Sequence, residues 1–250
     1  MLRARRGFRA GPWLTAKAAL INDYCRASGL RACVVGVSGG VDSAVVLGLL
    51  RHASRQPGSP LRRLVAALLP LRIAEGVTGQ TTATARGRLA AEAFAAERVE
   101  IGLAPAYEAM RQAAEAGLGV RGGAWAAGQL ASNIRAPALY YLATLLTQAG
   151  APAIVCGTTN RDEGGYIGFF GKASDGMVDL QPLADLHKRE VFELARALDV
   201  PAEIREATPT GDTFDGRVDE EMIGAPYDFV ELFQLLRAQL DDDARARALA

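Results

Sequence analysis

The stretch Ser38-Gly39-Gly40-Val41-Asp42-Ser43 constrains this chain more than any other. It follows the apolar run Ala32-Cys33-Val34-Val35-Gly36-Val37 and precedes Ala44-Val45-Val46-Leu47-Gly48-Leu49-Leu50. A short, valine-rich run without alternation predicts a strand buried on both faces, as in a parallel sheet, and the second run predicts a helix packed on that sheet. Strand, glycine-rich loop and helix in this order make an anion site. The glycines let the backbone approach a phosphate, the loop amides point inward, and the helix N-terminus adds roughly half a positive charge. Ser38 and Ser43 supply hydroxyl donors. Asp42 places a carboxylate beside an anion site, an arrangement that makes chemical sense with Mg²⁺ between the two. The Gly-Lys-Ser/Thr ending of a Walker A loop is missing, so a different class of nucleotide site is implied.

The rest of the composition narrows the classes. With 250 residues, half of them hydrophobic, the chain can bury the core of one α/β domain over 13–250, preceded by a basic tail over 1–12. The tail carries Arg3, Arg5, Arg6 and Arg9 and reads as a frayed, solvated end. Lys and Arg total 28, Asp and Glu total 28, so nothing demands nucleic acid or a membrane as partner. No segment approaches the ~18 continuous apolar residues of a membrane span. Cys25, Cys33 and Cys156 lie far apart with no CxxC pair, as expected of buried free thiols in a reducing cytoplasm. A soluble cytoplasmic protein is expected.

Further elements follow from periodicity and punctuation. Trp13 to Ser28 has helical spacing and ends at Gly29; Leu64 to Leu69 predicts a second buried strand stopped by Pro70; Thr81 to Ala96 is an alanine-rich helix. Arg98 to Ile101 predicts a short strand, Ala106 to Ala116 a helix, Ala153 to Cys156 another buried strand and Arg189 to Leu198 a helix. Gly117 to Gly128, rich in glycine and alanine, reads as a mobile loop. Strands alternating with helices imply an α/β fold with a doubly wound, mostly parallel sheet and helices on both faces.

A second block runs Gly157-Thr158-Thr159-Asn160-Arg161-Asp162-Glu163, continuing from Gly168 through Lys172, Asp175 and Asp179 to Leu183, and starts at the carboxyl end of a strand. Leu186-His187-Lys188-Arg189-Glu190 is a third, and Thr208-Pro209-Thr210-Gly211-Asp212 a fourth, followed by Asp219-Glu220-Glu221 and Tyr227-Asp228. The SGGVDS loop resembles that of the N-type ATP pyrophosphatases, of adenine nucleotide α-hydrolase-like fold. With the other blocks in order, the chain resembles the ammonia-dependent NAD synthetases from about Trp13 to Leu236.

That resemblance implies an ATP-dependent ligase that adenylates a carboxylate, releases pyrophosphate into the loop, and forms an amide when ammonia displaces AMP. In the family the acid is deamido-NAD and the product NAD. Residue by residue, it implies that Ser38, Gly39, Gly40, Asp42 and Ser43, with Thr158 and Lys188, bind ATP. Asp42, Glu163 and Thr210 would hold Mg²⁺, with Asp42, Lys188 and Thr210 at the chemistry, and Asn133, Lys172, Asp175 and Asp179 would line the acyl pocket. It also implies a homodimer, here through a helix near Asn133 to Gln148 with Leu139, Leu142 and Leu146 on its apolar face. Ammonia would arrive free or from a separate glutaminase.

The departures carry information too. The chain has one residue more than the family spacing between Glu163 and Gly168, which leaves Asp162 as the alternative carboxylate. The stretch Leu71 to Glu75 lacks the family's acidic run, leaving adenine contacts unassigned. Where relatives carry two arginines after Asn133-Ile134, this chain has Pro137 and Leu139. Pro137 predicts a helix that kinks or begins there. The change points to a paralogue amidating a different, smaller carboxylic acid as an alternative function. A sulfur-transfer or tRNA-modifying enzyme is disfavoured by the lack of CxxC, and a non-catalytic nucleotide-binding protein by the retained Asp42, Glu163, Lys188 and Thr210. Asp179 has a duller reading as a turn cap. His52 and His187 read as polar surface groups at helix ends.

Overall fold

A computed structural model of the chain describes residues 2–71, 79–168, 170–208 and 218–240. Strands β1 (Ala32–Gly36), β2 (Arg63–Leu68), β3 (Glu97–Glu100) and β4 (Ala153–Cys156) pair in parallel in the order β3-β2-β1-β4. Around them lie α1 (Leu2–Arg6), α2 (Ala10–Ala27), α3 (Val41–Ser54), α4 (Gly79–Ala93), α5 (Ala104–Leu118), α6 (Ala124–Asn133), α7 (Arg135–Gln148), a π-helical turn over Glu163–Ile167, α8 (Lys188–Ala197), α9 (Ala202–Arg205), α10 (Asp219–Ile223) and α11 (Tyr227–Arg237).

Because successive strand residues point to opposite faces, Cys33, Val35, Leu64, Ala66, Ile154 and Cys156 enter one core and Ala32, Val34, Val65, Ala67 and Val155 the other. Helices α2, α3 and α8 close the first face, and α5, α6 and α7 the second. Burial on both sides is why the strands are apolar without alternation. Helix α3 is apolar nearly all round because it sits between the sheet, α2 and α8. From β1 the sheet grows through β2 to β3, and β4 is then laid on the other side of β1. The loops leaving β1 and β4 therefore diverge and leave a crevice at the carboxyl ends of those strands, where open α/β sheets bind ligands.

Three expectations are corrected. The N-terminal tail is not frayed: it forms α1 and leads into α2 at Ala10, with Arg6 bonded to both oxygens of Glu190 at 2.5 and 2.7 Å and Arg3 to Glu231 at 2.9 Å. Both carboxylates are buried, and a buried charge demands a partner. Gly117 to Gly128 is not one long loop. Gly119, at φ 72°, closes α5, and helix α6 begins at Ala124, where an alanine-rich turn outweighs the helical cost of Gly128. The leucines expected at a dimer surface face inward: Leu146 is buried, and Leu139 and Leu142 pack on the second core, while Tyr141 and Leu145 are the exposed large hydrophobic residues of α7. Pro137 lies in the first turn of α7, just past the break after Asn133, as its missing N–H dictates.

Candidate active site

The SGGVDS loop leaves β1 and turns into α3 with Gly40 at the N-cap. Gly39 adopts φ +85°, and a Cβ there would lie 2.1 Å from the Ala83 carbonyl oxygen of α4, so only glycine fits. Within the loop, Gly40 N–H donates to Ser38 Oγ at 3.3 Å and Ser43 Oγ–H to the Gly40 carbonyl at 3.0 Å. Helix α4 also contributes Arg86, whose Nε donates to the Gly39 carbonyl at 2.9 Å. No acidic side chain among the described residues pairs with Arg86, so its charge stands against the phosphate loop. Sequence reasoning missed it, since nothing local to α4 announces the contact.

Asp42, on the first turn of α3, faces the segment that follows β4. Lys188 Nζ donates to Asp42 Oδ2 at 2.5 Å and to Glu163 Oε1 at 3.1 Å, so two carboxylates from distant parts of the chain converge on one cation. Asn160 ties the same groups together: its Nδ2 donates to Asp42 Oδ1 at 3.0 Å, and its Oδ1 accepts the N–H groups of Asp162 and Glu163 at 3.0 and 3.1 Å. Tyr227, on α11, donates its hydroxyl to Glu163 Oε1 at 2.7 Å and lies under the Lys188 ammonium, 5.0 Å from ring centroid to Nζ.

Electrostatics follow from this packing. Burial, then the neighbouring Asp42 charge, push the Glu163 carboxyl above its ordinary range, against the pull of Lys188 and Tyr227. Burial alone would lower Lys188, but the charges of Asp42 and Glu163 outweigh it and hold the ammonium firmly protonated. Burial and the Glu163 charge likewise keep the Tyr227 hydroxyl protonated, a donor. Two carboxylates share one ammonium, which leaves the cluster one positive charge short.

Asp162 and Glu163 have separate tasks. Asp162 is fully buried: its Oδ1 accepts from His187 Nδ1 at 2.6 Å and Gln234 Nε2 at 2.8 Å, and its Oδ2 accepts the Lys188 N–H at 2.8 Å, capping α8 from outside. His187 is thus a buried partner of Asp162 and not the surface group expected from its place at a helix end. Glu163 opens the π-helical turn, which accommodates one residue more than an α-turn; the extra residue noted in the sequence falls within it.

The acyl-pocket residues divide. Asn133 ends α6 close to Gly171, and Ser132 Oγ donates to Ser174 Oγ at 3.0 Å, which joins α6 to the exposed turn bearing Lys172 and Asp175. Asp179 is occupied structurally: Oδ2 accepts the Val155 N–H of β4 at 2.8 Å and Oδ1 the Tyr140 hydroxyl at 3.1 Å, so it ties β4 to α7. Thr158 follows β4, half-buried at the crevice. Thr210 and the stretch 72–75 lie outside the described residues.

Comparison with known proteins supplies a context for this geometry. The NAD synthase family model matches residues 13–248. The NH(3)-dependent NAD(+) synthetase of Alkaliphilus oremlandii is 32% identical over 219 residues, covering 85% of this chain and 80% of its own. That of Pseudomonas aeruginosa is 33% identical over 225 residues, covering 86% and 77%. Among solved structures, an NMN synthetase from Francisella tularensis superposes with a TM-score of 0.76 at 28% identity, covering 96% of this chain and 91% of its own. An NAD+ synthetase from Burkholderia pseudomallei gives 0.70 at 31% identity, covering 96% and 86%.

Proposed function

This chain belongs to the NAD synthase family, and from that premise we propose that it is an AMP-forming amide ligase that converts the nicotinate carboxylate of deamido-NAD to the amide of NAD. The observation that carries this reading is the Asp42–Lys188–Glu163 cluster beside the SGGVDS loop at the crevice between β1 and β4. A carboxylate has no leaving group that ammonia can displace. Its oxygen attacks the α-phosphorus of ATP, the bond to the β-phosphate bridging oxygen breaks, and pyrophosphate departs. Ammonia then adds to the acyl carbon, loses a proton, and expels AMP. The loop amides, Ser38, Ser43 and Lys188 would stabilise charge gathering on the departing pyrophosphate, with Thr158 beside the nucleotide.

The donors present fit Mg²⁺. Asp42 and Glu163 already converge on one cation, the Lys188 ammonium, and carboxylate oxygens are the ligands a hard divalent ion takes. These two residues, with Thr210, would hold it, and the ion would offset the negative charge of the triphosphate. Lys188 would then turn from the carboxylates to phosphate. Asn133, Lys172 and Asp175 would meet the acid, and Asp179 would act through Tyr140 and β4.

Pro137 and Leu139 favour one second reading. Leu139, where the family resemblance implies an arginine, packs on β1 with its Cδ1 3.2 Å from where a Gly36 Cβ would stand, and Pro137 offers no donor. With fewer cations for a dinucleotide's phosphates, nicotinate mononucleotide becomes the alternative acid, as the activity in the name of the F. tularensis neighbour suggests. Steady-state kinetics with ATP, Mg²⁺ and ammonium on each acid decides between them by kcat/KM. AMP and pyrophosphate are the expected nucleotide products; ADP as the sole product would remove the adenylation reading altogether.

Exposed Trp125, Tyr141 and Leu145 on α6 and α7 support a homodimer. The buried free thiols Cys25, Cys33 and Cys156 support a reducing cytoplasmic location. No helix among the described residues is long and apolar enough to cross a membrane. Ammonia would come free or from a separate glutaminase.

A further inference from the structure

We propose that the amino end of the sheet carries a second anion site, for a small phosphate-bearing molecule, separate from the SGGVDS loop. A cavity of about 160 Å³ opens there, lined by Arg51, Ser54 and Arg55 from the end of α3 and by Leu61, Arg62 and Arg63 at the entry to β2. At ~30 Å³ per liquid water, it holds about five waters or one phosphate group with part of its shell.

The charge around this cavity is not balanced from within. Arg63 is paired, donating to both oxygens of Glu97 at 2.8 and 2.6 Å. No carboxylate among the described residues pairs with Arg51, Arg55 or Arg62. Arg62 Nη1 donates to the Ser59 carbonyl at 2.7 Å, and Arg51 Nη2 to the Ala95 carbonyl at 2.7 Å. The Arg51 Nε is sealed from solvent without an acceptor, so Arg51 brings its charge to the cavity and not that N–H. The α3 dipole accounts for cations in its last turn, Arg51 among them, but not for Arg62 and Arg63, which stand at the entry to β2 and line the same cavity.

Several guanidiniums around a small cavity match a phosphate's several acceptor oxygens better than a single carboxylate, and Arg55 and Arg62 carry no acid partner among the described residues. Leu61 gives the cavity an apolar wall against which the body of an organic phosphate can rest. Helix α3 links the site to the proposed active site: its first turn carries Asp42 and Ser43, and its last turn borders the cavity.

Calorimetric titration of the full chain with inorganic pyrophosphate tests this without requiring turnover, so its outcome does not depend on the proposed reaction. Two equivalents are expected for the parent. The variant Gly39→Ala, which closes the phosphate loop, should retain one, as should Ser38→Ala if the first folds poorly. Arg55→Ala/Arg62→Ala, at exposed positions whose removal orphans no acid, should weaken the retained equivalent by tenfold or more and leave the loop equivalent intact. A single equivalent in the parent that disappears with the loop variants would overturn the proposal, and so would unchanged binding of both equivalents in the double arginine variant.

Discussion

Replacing Asp162 tests the architecture beneath the proposed active site while leaving the side chains of Asp42, Glu163 and Lys188 in place. Its carboxylate is fully buried and accepts three hydrogen bonds, from His187 Nδ1, Gln234 Nε2 and the Lys188 N–H. Asp162→Ala leaves all three donors without their acceptor in a buried site. Unsatisfied buried donors cost about 1–3 kcal/mol each, and breaking a buried charged network costs about 3–5 kcal/mol in total. The lower and middle part of that range is expected, about 3–4 kcal/mol, since some relaxation of Gln234 is available. For a chain of this length about 1 kcal/mol moves Tm by roughly 2–4 °C, so a fall of about 10 °C is expected in a calorimetric or circular-dichroism melt. Asp162→Asn keeps the shape but sets an NH₂ against one donor, and should cost about 1–2 kcal/mol. Assayed well below its Tm, the Asn variant should lose turnover by about tenfold while KM for ATP stays within about threefold, because the network fixes the positions of Glu163 and Lys188 more than it binds nucleotide. If Asp162→Ala unfolds within about 0.5 kcal/mol of the parent, the network does not bear on stability and the reasoning fails.

The other expectations are narrower. Arg86→Ala should raise KM for ATP several-fold with little change in KM for the acid or in Tm, since among the described residues the side chain hydrogen-bonds to the Gly39 carbonyl alone; an unchanged KM for ATP would show that its charge does not reach the phosphates. Glu163 titrates above its ordinary value of 4.5 in the metal-free protein, so the stability it contributes is full below that value and is lost as pH rises through the raised one. Urea midpoints measured from about pH 4 to 7 should therefore show a downward component on raising pH that Glu163→Gln removes, and Mg²⁺ affinity should weaken on acidification over the same window; parallel curves for parent and variant would contradict the assignment. Arg6→Ala should cost about 2–3 kcal/mol in denaturant unfolding, below the full range for a buried pair because Arg6 is partly exposed, and a loss under about 0.5 kcal/mol would mean that α1 does not hold the Glu190 charge.

Much of the fold is written locally. The valine-rich run before Ser38 and the alanine-rich helices carry their own periodicity, and every strand from β1 to β4 falls within a residue or two of where the sequence places it. The phosphate loop is local in its backbone, because Gly39 takes a left-handed φ that favours glycine, although the Ala83 carbonyl that leaves no room for a Cβ is a tertiary neighbour. Pro137 announces the start of α7 for the same kind of reason: its ring and its missing N–H act on the adjacent turn.

The site's working contacts are of another kind. Lys188 meets Asp42 across 146 residues, Arg6 meets Glu190 across 184, and Arg86 reaches Gly39 across 47, and no local pattern specifies such pairs. Asp162 and Glu163 are adjacent acids in a polar stretch and look alike in sequence. Only the turn that sends one into a closed network and the other toward Asp42 tells them apart. His187 reads as a surface residue because helix starts are usually wet, and it is buried because α8 begins beneath α11 and against Asp162. Leu139 looked available for a partner subunit until the approach of α7 to Gly36 showed it filling the underside of β1. The sequence by itself determined the strands, the sheet type and the anion loop, because backbone sterics and apolar periodicity act over a few residues. Tertiary structure alone decided which charges face one another and which are sealed in, because desolvation and pairing depend on what the folded chain brings within hydrogen-bonding distance.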